Sequence, residues 1–347
     1  MNASTTSNAG GSSGKADVDT DWDDLVLFQL HPDHAETVTT PVYANGRQQA
    51  QVKIEIIAEK DGEVVTLTES QLKRITLVAY DTGAPLPESV TTSCEQSALY
   101  EISLDLLEGD VLAEIFEPRR ENHAFPDDAQ EQSLWVSCTT VGRYKVAAKI
   151  TSPSGVSYTT CPGPFESWMN ISAHAPLVHD WDTLKMGDRQ DLIKTSDSPD
   201  YDVDMYFIKF DVGDLRIVDS IHHNHTADHP FYSWPQPGWP RMSSVAFQVG
   251  QPREVIFPPG VTGGCKFKVN TRPGQANAAR VQHRATHDLK QSFEFGKVTY
   301  FDQYGNSVPA VIAVASDGNT LHLHSTGPHL LPEPLGKGAA EPTEKLD

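Results

Sequence analysis

Apolar and polar side chains alternate most regularly over residues 42–67, VYANGRQQAQVKIEIIAEKDGEVVTL. Val52, Ile54 and Ile56 alternate with Gln51, Lys53 and Glu55. A period of two puts one row on each face of a strand. Lys60, Asp61 and Gly62 supply a turn, and Val65 and Leu67 resume the apolar row on a returning strand. The pattern predicts a hairpin of a half-buried antiparallel sheet.

Short apolar runs continue on both sides of it. LVLFQL at 25–30, ITLVAY at 75–80, residues 100–107, SLWVSC, GRYKVAAKI and GVSYTTC read as strands. Residues 68–73 fit one helical turn with Thr68 as its cap. Residues 117–132 are charged, hold Pro118 and Pro126, and read as a long loop. Seven or more short strands with turn signals at this spacing predict a β-sandwich over 22–164.

PVYANGRQQAQVKIEIIAEKDGEVV resembles the opening strands of bacterial immunoglobulin-like repeats of the invasin type. GRYKVAAKITSPSG is similar to their closing strand. The resemblance implies an immunoglobulin-like domain acting as a spacer or adhesive module, with no active site to carry over.

Pro162-Gly163-Pro164 marks a junction, and 165–198 reads as linker or irregular cover. YDVDMYFIKF and DLRIVDSI then form a strand pair, with Asp200, Asp202 and Asp204 on a polar strand face. SSVAFQV, REVIF, CKFKVN, SFEFGKVTYFD, VPAVIAVA and NTLHLH are further strands. Residues 276–290 carry Ala278, Val281, Ala285 and Leu289 at spacings of three and four, which predicts a helix. The expected fold is all-β: an immunoglobulin-like sandwich, then a second mainly β domain over 165–331.

The two ends, 1–21 and 332–347, hold few large apolar residues and are expected to stay unfolded. Asp17, Asp19 and Asp21 lack the glycine and the final carboxylate of a calcium loop and read as an acidic leader. The formal net charge of −20 repels phosphate backbones and anionic lipid, so no nucleic-acid partner is expected. No apolar run approaches a membrane span, and no secretory signal is visible. The expectation is a cytoplasmic product, or one exported without a signal peptide. Four cysteines with no C-x-x-C pair read as reduced, partly buried thiols.

The most unusual segment is 221–239, IHHNHTADHPFYSWPQPGW. His222, His223, His225 and His229 fall within eight positions, and imidazole suits zinc, copper, nickel and iron. His223 and His225 would share one strand face, and His322 and His324 would form a second pair on a neighbouring strand. An exposed polar loop accounts for the same histidines without metal. Phe231, Tyr232, Trp234 and Trp239 stand among prolines, where rigid rings stack on sugars or fill a partner's groove. Rings folded inward over the domain junction are the alternative. Asn2, Asn170 and Asn224 begin glycosylation sequons, inert without a secretory route. The leading reading is a non-enzymatic binding or structural β protein that meets a protein or glycan partner through this loop, with no cofactor. A metal-dependent enzyme using the 222–229 cluster and a carbohydrate-binding module are the alternatives.

Overall fold

The computed structural model describes residues 19–32, 39–101, 126–187, 189–194, 198, 200–236, 239–259, 264–284, 295–315 and 319–325. For residues 32, 234–236, 239 and 240 the description is of the backbone alone. The leader up to residue 18, the tail 332–347, the strand expected beyond residue 101 and the loop up to residue 125 lie outside it. The chain forms two compact units. Unit 1 holds residues 1–42, 50–96 and 104–173, and unit 2 holds 43–49, 97–103 and 174–347.

Unit 1 is an immunoglobulin-like β-sandwich of two antiparallel sheets. The first orders β1 (Asp24–Pro32), β3 (Ala50–Lys60), β7 (Gln130–Cys138) and β6 (Val90–Ser93), with β4 (Glu63–Val65) paired to β3. The second orders β2 (Thr39–Tyr43), β10 (Met169–His174), β8 (Gly142–Thr151) and β5 (Thr76–Ala79), with β9 (Ser157–Thr159) paired to β8. Val52, Ile54 and Ile56 of β3 are fully buried, so the alternating row is a core row. Asp61 and Gly62 both take positive φ, 52° and 84°, in the two-residue turn that joins β3 to β4. Both central residues in the left-handed region match the twist of the flanking strands. Trp22, just before β1, packs tilted on Tyr158 of β9 at 5.6 Å, and Phe28 of β1 meets Phe165 edge-on at 6.5 Å.

Some polar residues depart from their expected places. Glu55, on the polar row of β3, is buried and accepts hydrogen bonds from Gln29 Nε2 and His31 Nε2, each at 2.9 Å. The helical turn α1 (Glu69–Leu72) forms with Thr68 as its cap, closed by Gln71 in a capping box. Gln71 also accepts from the Thr20 N–H at 3.0 Å, and Asp19 pairs with Arg74 at 2.6 Å. Residues 19–21 of the expected unfolded leader are therefore hydrogen-bonded to the body. Residues 130–132 of the expected loop begin β7, and 165–198 contains strands rather than linker alone.

Unit 2 has a six-stranded sheet, a four-stranded sheet and a hairpin. The first orders β11 (Leu184–Met186), β13 (Tyr201–Phe210), β19 (Ala276–His283), β16 (Trp239–Ala246) and β15 (Pro230–Gln236), with β12 (Gln190–Ile193) paired to β13. The second orders β14 (Ile217–His222), β20 (Phe295–Asp302), β21 (Ser307–Val314) and β22 (Leu321–His324). β17 (Arg253–Phe257) and β18 (Cys265–Val269) form the hairpin. One face of the six-stranded sheet packs Tyr206, Ile208, Ala276 and Ala278 against Val298, Tyr300, Ala310 and Ile312 of the four-stranded sheet. The other packs Val203, Phe207, Ala279 and Val281 against Phe257, Phe267 and Val269 of the hairpin.

The helix expected over 276–290 is therefore corrected, since its first eight residues are β19. A strand covered on both faces carries apolar residues on successive positions rather than in alternation. Ala276, Ala278, Ala279 and Val281 supply them, and the spacing of three between Ala278 and Val281, which lie on opposite faces of the strand, imitated a helical face. Residues 285–294 lie outside the description.

Asp202 and Asp204, expected on a polar strand face, are the partners of a buried cation. Arg280 is 3% and Asp204 2% exposed. The Arg280 guanidinium donates to Asp202 Oδ2 at 2.9 Å, pairs with Asp204, and donates to Asn319 Oδ1. Removing one partner of such a pair leaves a charge buried without compensation. Arg280→Met is expected to destabilise unit 2 by about 3–5 kcal/mol in urea unfolding at neutral pH. A loss below about 1 kcal/mol would show that the cluster is solvated.

Candidate functional site

The histidine segment is a strand end and a turn. β14 pairs with β20, with His222 opposite Val298. The strand stops there, but its pairing continues through a side chain. Asn224 Nδ2 donates to the Phe295 carbonyl at 2.9 Å, and Asn224 Oδ1 accepts from the Lys297 N–H at 2.8 Å. The His223 N–H donates to the Lys297 carbonyl at 3.0 Å. An amide side chain presents an N–H donor beside a carbonyl acceptor, as a peptide unit does, so Asn224 extends the ladder by a step.

This orientation of Asn224 fixes the protons on two imidazoles. His225 Nδ1 lies 3.0 Å from Asn224 Oδ1, which only accepts, so His225 Nδ1 carries the hydrogen. His225 Nε2 is then an acceptor. It lies 2.9 Å from His222 Nδ1, which must donate. His222 Nε2 is left as a buried lone pair with no hydrogen-bond partner among the described residues. The two rings meet edge to face at 4.8 Å, and His225 packs on Phe231 at 5.4 Å. Burial pushes His222 down to about 4, with Asp228 opposing it, and burial together with His222 pushes His225 down to about 4. Both rings are neutral at pH 7.

The other histidines do not join this pair. His223 and His225 were expected on one strand face, but the bend after His222 separates them. His225 is buried, while His223 is exposed with its Nε2 2.7 Å from Thr299 Oγ1. His229 is exposed on the turn. His322 and His324 sit on β22, their rings 4.2 Å apart. β20 and β21 lie between β14 and β22, so the two pairs are not on neighbouring strands and stand about 14 Å apart across the sheet. Among the described residues no three metal-ligating side chains converge.

The aromatic residues divide likewise. Phe231 is fully buried in the core of unit 2, and Tyr232 is half-buried against that core. Trp234 lies on β15 opposite Met242, and Trp239 on β16 opposite Gln236, so the expected loop is a β-hairpin at the edge of the six-stranded sheet. The Trp234 and Trp239 side chains lie outside the description.

A groove that sequence reasoning missed lies on the outer side of β14 and β20. It encloses about 340 Å³ and is lined by Leu177, Val178, Ile221, His223, Arg47 and Phe301, with neighbours. Leu177, Val178 and Ile221 are 47%, 70% and 41% exposed, and they share this one groove. The Arg47 guanidinium lies 4.0 Å over the Phe301 ring. Among the described residues no carboxylate pairs with Arg47. Its segment is held by Asn45, whose Nδ2 donates to the Tyr304 carbonyl at 2.8 Å. Gly305 has φ +79°, and a Cβ there would stand 2.7 Å from Arg47 Cβ, so glycine is required for this approach. A larger cavity of about 560 Å³ lies beside Leu184, Met186, Tyr206 and His322. Its cations are already matched, Arg189 by Asp191 and Asp204 and Lys185 by Asp211. The four cysteines are free, and burial pushes the Cys138 thiol up to about 11 and Cys265 up to about 12. Both of these buried thiols are poor nucleophiles at neutral pH.

No family model matches the chain, and no curated protein matches it. Among solved structures, 76 chains match. One is described as the Streptococcus agalactiae AgI/II polypeptide BspA C terminal domain. It is 9% identical over 86% of this chain and 99% of that one, with a TM-score of 0.20. A second, described as BspA_C_WT, is 11% identical over 86% of this chain and 100% of that one, with a TM-score of 0.19. Likeness of that degree carries no argument about function, and the all-β architecture rests on the strands themselves.

The packing around Phe231 has a consequence that stability measurements read. A Cβ at Gly296 would lie 2.8 Å from the Phe231 ring. Gly296→Ala is expected to destabilise unit 2 by about 1–3 kcal/mol through overpacking. Unfolding indistinguishable from wild type would mean that the ring is free to move aside.

Proposed function

We propose that the chain is a non-enzymatic binding or structural β protein and that the groove beside β14 is its contact surface. The observation that carries this reading is the convergence of Leu177, Val178 and Ile221, all exposed, on one groove with Arg47 beside them. Exposed apolar side chains are ordinary singly, but several lining one concave surface mark a site of association. Arg47 is a cation without a carboxylate partner among the described residues, on a chain of net charge −20. The complementary ligand is a protein segment that sets large apolar side chains beside an acidic group. On this reading the sandwich of unit 1 acts as a spacer, as in the invasin-type repeats that its strand pattern resembles. The β15–β16 hairpin with Trp234 and Trp239 is a second contact element at a sheet edge.

Selection of displayed peptides on the full chain tests the reading. Enriched sequences are expected to place Asp or Glu next to Leu, Ile or Phe. Val178→Asp is expected to weaken their binding by about 2 kcal/mol or more while leaving the fold intact. Equal recovery on wild type and Val178→Asp would remove the groove as the contact surface. Loss with Trp234→Ala or Trp239→Ala alone would transfer the function to the hairpin. Selective retention on a glycan array, without peptide enrichment, would favour the carbohydrate-binding alternative.

A further inference from the structure

We propose that the hydrogen-bonded imidazoles of His222 and His225, oriented by Asn224, form an acid-opened latch that holds the turn between β14 and β15 against β20. The inference stands on the relay geometry and does not depend on what the groove binds.

The relay runs in one direction. The Lys297 N–H and the His225 Nδ1–H both donate to Asn224 Oδ1, and His222 Nδ1–H donates to His225 Nε2. Only His222 Nε2 has a lone pair to spare. The first added proton therefore has one place to go without breaking a bond. It makes His222 an imidazolium whose Nδ1–H still donates to His225. A second proton, on His225 Nε2, turns an acceptor into a donor facing a donor. That step breaks the pair, and an imidazolium lodged against Phe231 then favours an open, hydrated turn.

The surrounding charges set where this happens. On the turn, Asp228 favours charge on His222, and His223 opposes it on both rings. Asp228 is itself committed to Arg253 of β17, whose Nη2 donates to its two oxygens at 2.7 and 2.6 Å. His229 of the turn is exposed, and Lys297 of β20 adds positive charge on the pairing strand. On β14, Asp219 accepts from the Tyr100 hydroxyl at 3.0 Å. No carboxylate among the described residues forms an ion pair with either ring.

The sign follows from linkage. Both rings have pKa values lowered by folding, so the open turn binds more protons than the closed one below about pH 6.5. The closed state is fully favoured above that pH. It loses ground as pH falls through the interval toward about 4. A metal offers no simpler account of the arrangement, because one spare lone pair falls short of the three or four ligands such an ion needs.

Two measurements on the full chain test the latch. Nitrogen resonances of the ring are expected to show both imidazoles neutral and protonated at Nδ1 at pH 7, with His222 titrating before His225. A ring found charged, or protonated at Nε2, at pH 7 would overturn the relay. So would one equivalent of zinc shifting both rings at that pH. Amide exchange reads the opening itself, through the Lys297 and His223 N–H groups. After correction for intrinsic rates, their protection is expected to fall by about tenfold or more between about pH 6.5 and about pH 4.5. Amides of β21 should keep theirs. In the doubly substituted His222→Gln, His225→Gln chain the fall should be absent. Equal loss of protection throughout unit 2, or the same fall in the substituted chain, would mean general acid unfolding and would refute the latch. If that variant fails to fold, the ring resonances of the wild type still decide.

Discussion

Unit 2 depends on a sheet that is covered on both faces. β19 lies at its centre, between β13 and β16, with Ala276 and Ala278 against the four-stranded sheet and Ala279 and Val281 against the hairpin. Such a strand has no solvent face on which to place polar residues. Alanines at 276, 278 and 279 allow the layers to approach, and Val281 fills the side toward the hairpin. Asn277, Arg280 and His283 are nevertheless buried there, and the neighbours of the charged Arg280 explain how it is tolerated. A guanidinium spreads its donors over a plane, so two carboxylates from β13 and an amide from Asn319 are all reached from one position. An apolar residue there would leave the two carboxylates with Arg189, 3.5 Å from Asp204, as their remaining cation among the described residues.

The same economy of partners appears at the end of β14. A strand that turns away leaves backbone groups of its neighbour open, and buried open groups are costly. Asn224 fills two of those positions on β20 with its own amide. Because both ends of that amide are committed, it is fixed in orientation, and the proton positions on His225 and His222 follow from it. The hydrogen-bonding pattern of a sheet edge thus decides the tautomers of the two imidazoles beside it.

The amount that could be read from the sequence follows from how local each feature is. The β3–β4 hairpin needed a period of two and an Asp-Gly turn, both within fifteen residues, and it formed as expected. The cap of α1 was equally local. The strand at 276–283 was misread because Ala278 and Val281, buried on opposite faces of a strand, have the spacing of three that one helical face also shows. The histidine pairs were misplaced for another reason. Whether two strands are neighbours depends on sheet order, and β20 and β21 come between β14 and β22. The groove is more distant still: Arg47, Val178, Ile221 and Phe301 come from four separated parts of the chain. The Asn45-Gly46 turn was the one local hint, since it presents Arg47. Asn224 was visible as a sequon, a reading that gave no sign of its part in the sheet.

Alternation on β14 connects the groove to the relay. Ile221 and His223 face outward and line the groove, while His222 between them faces inward and donates to His225. Adjacent residues on a strand cannot move independently, because their directions are set by the same backbone. An opening of the turn that displaces the backbone at His222 would carry these two neighbours with it and so alter the wall that they form. The coupling needs no long path through the protein, since the distance is one residue. Its strength is set by how firmly Asn224 holds β20, and that hold consists of two hydrogen bonds from one uncharged side chain.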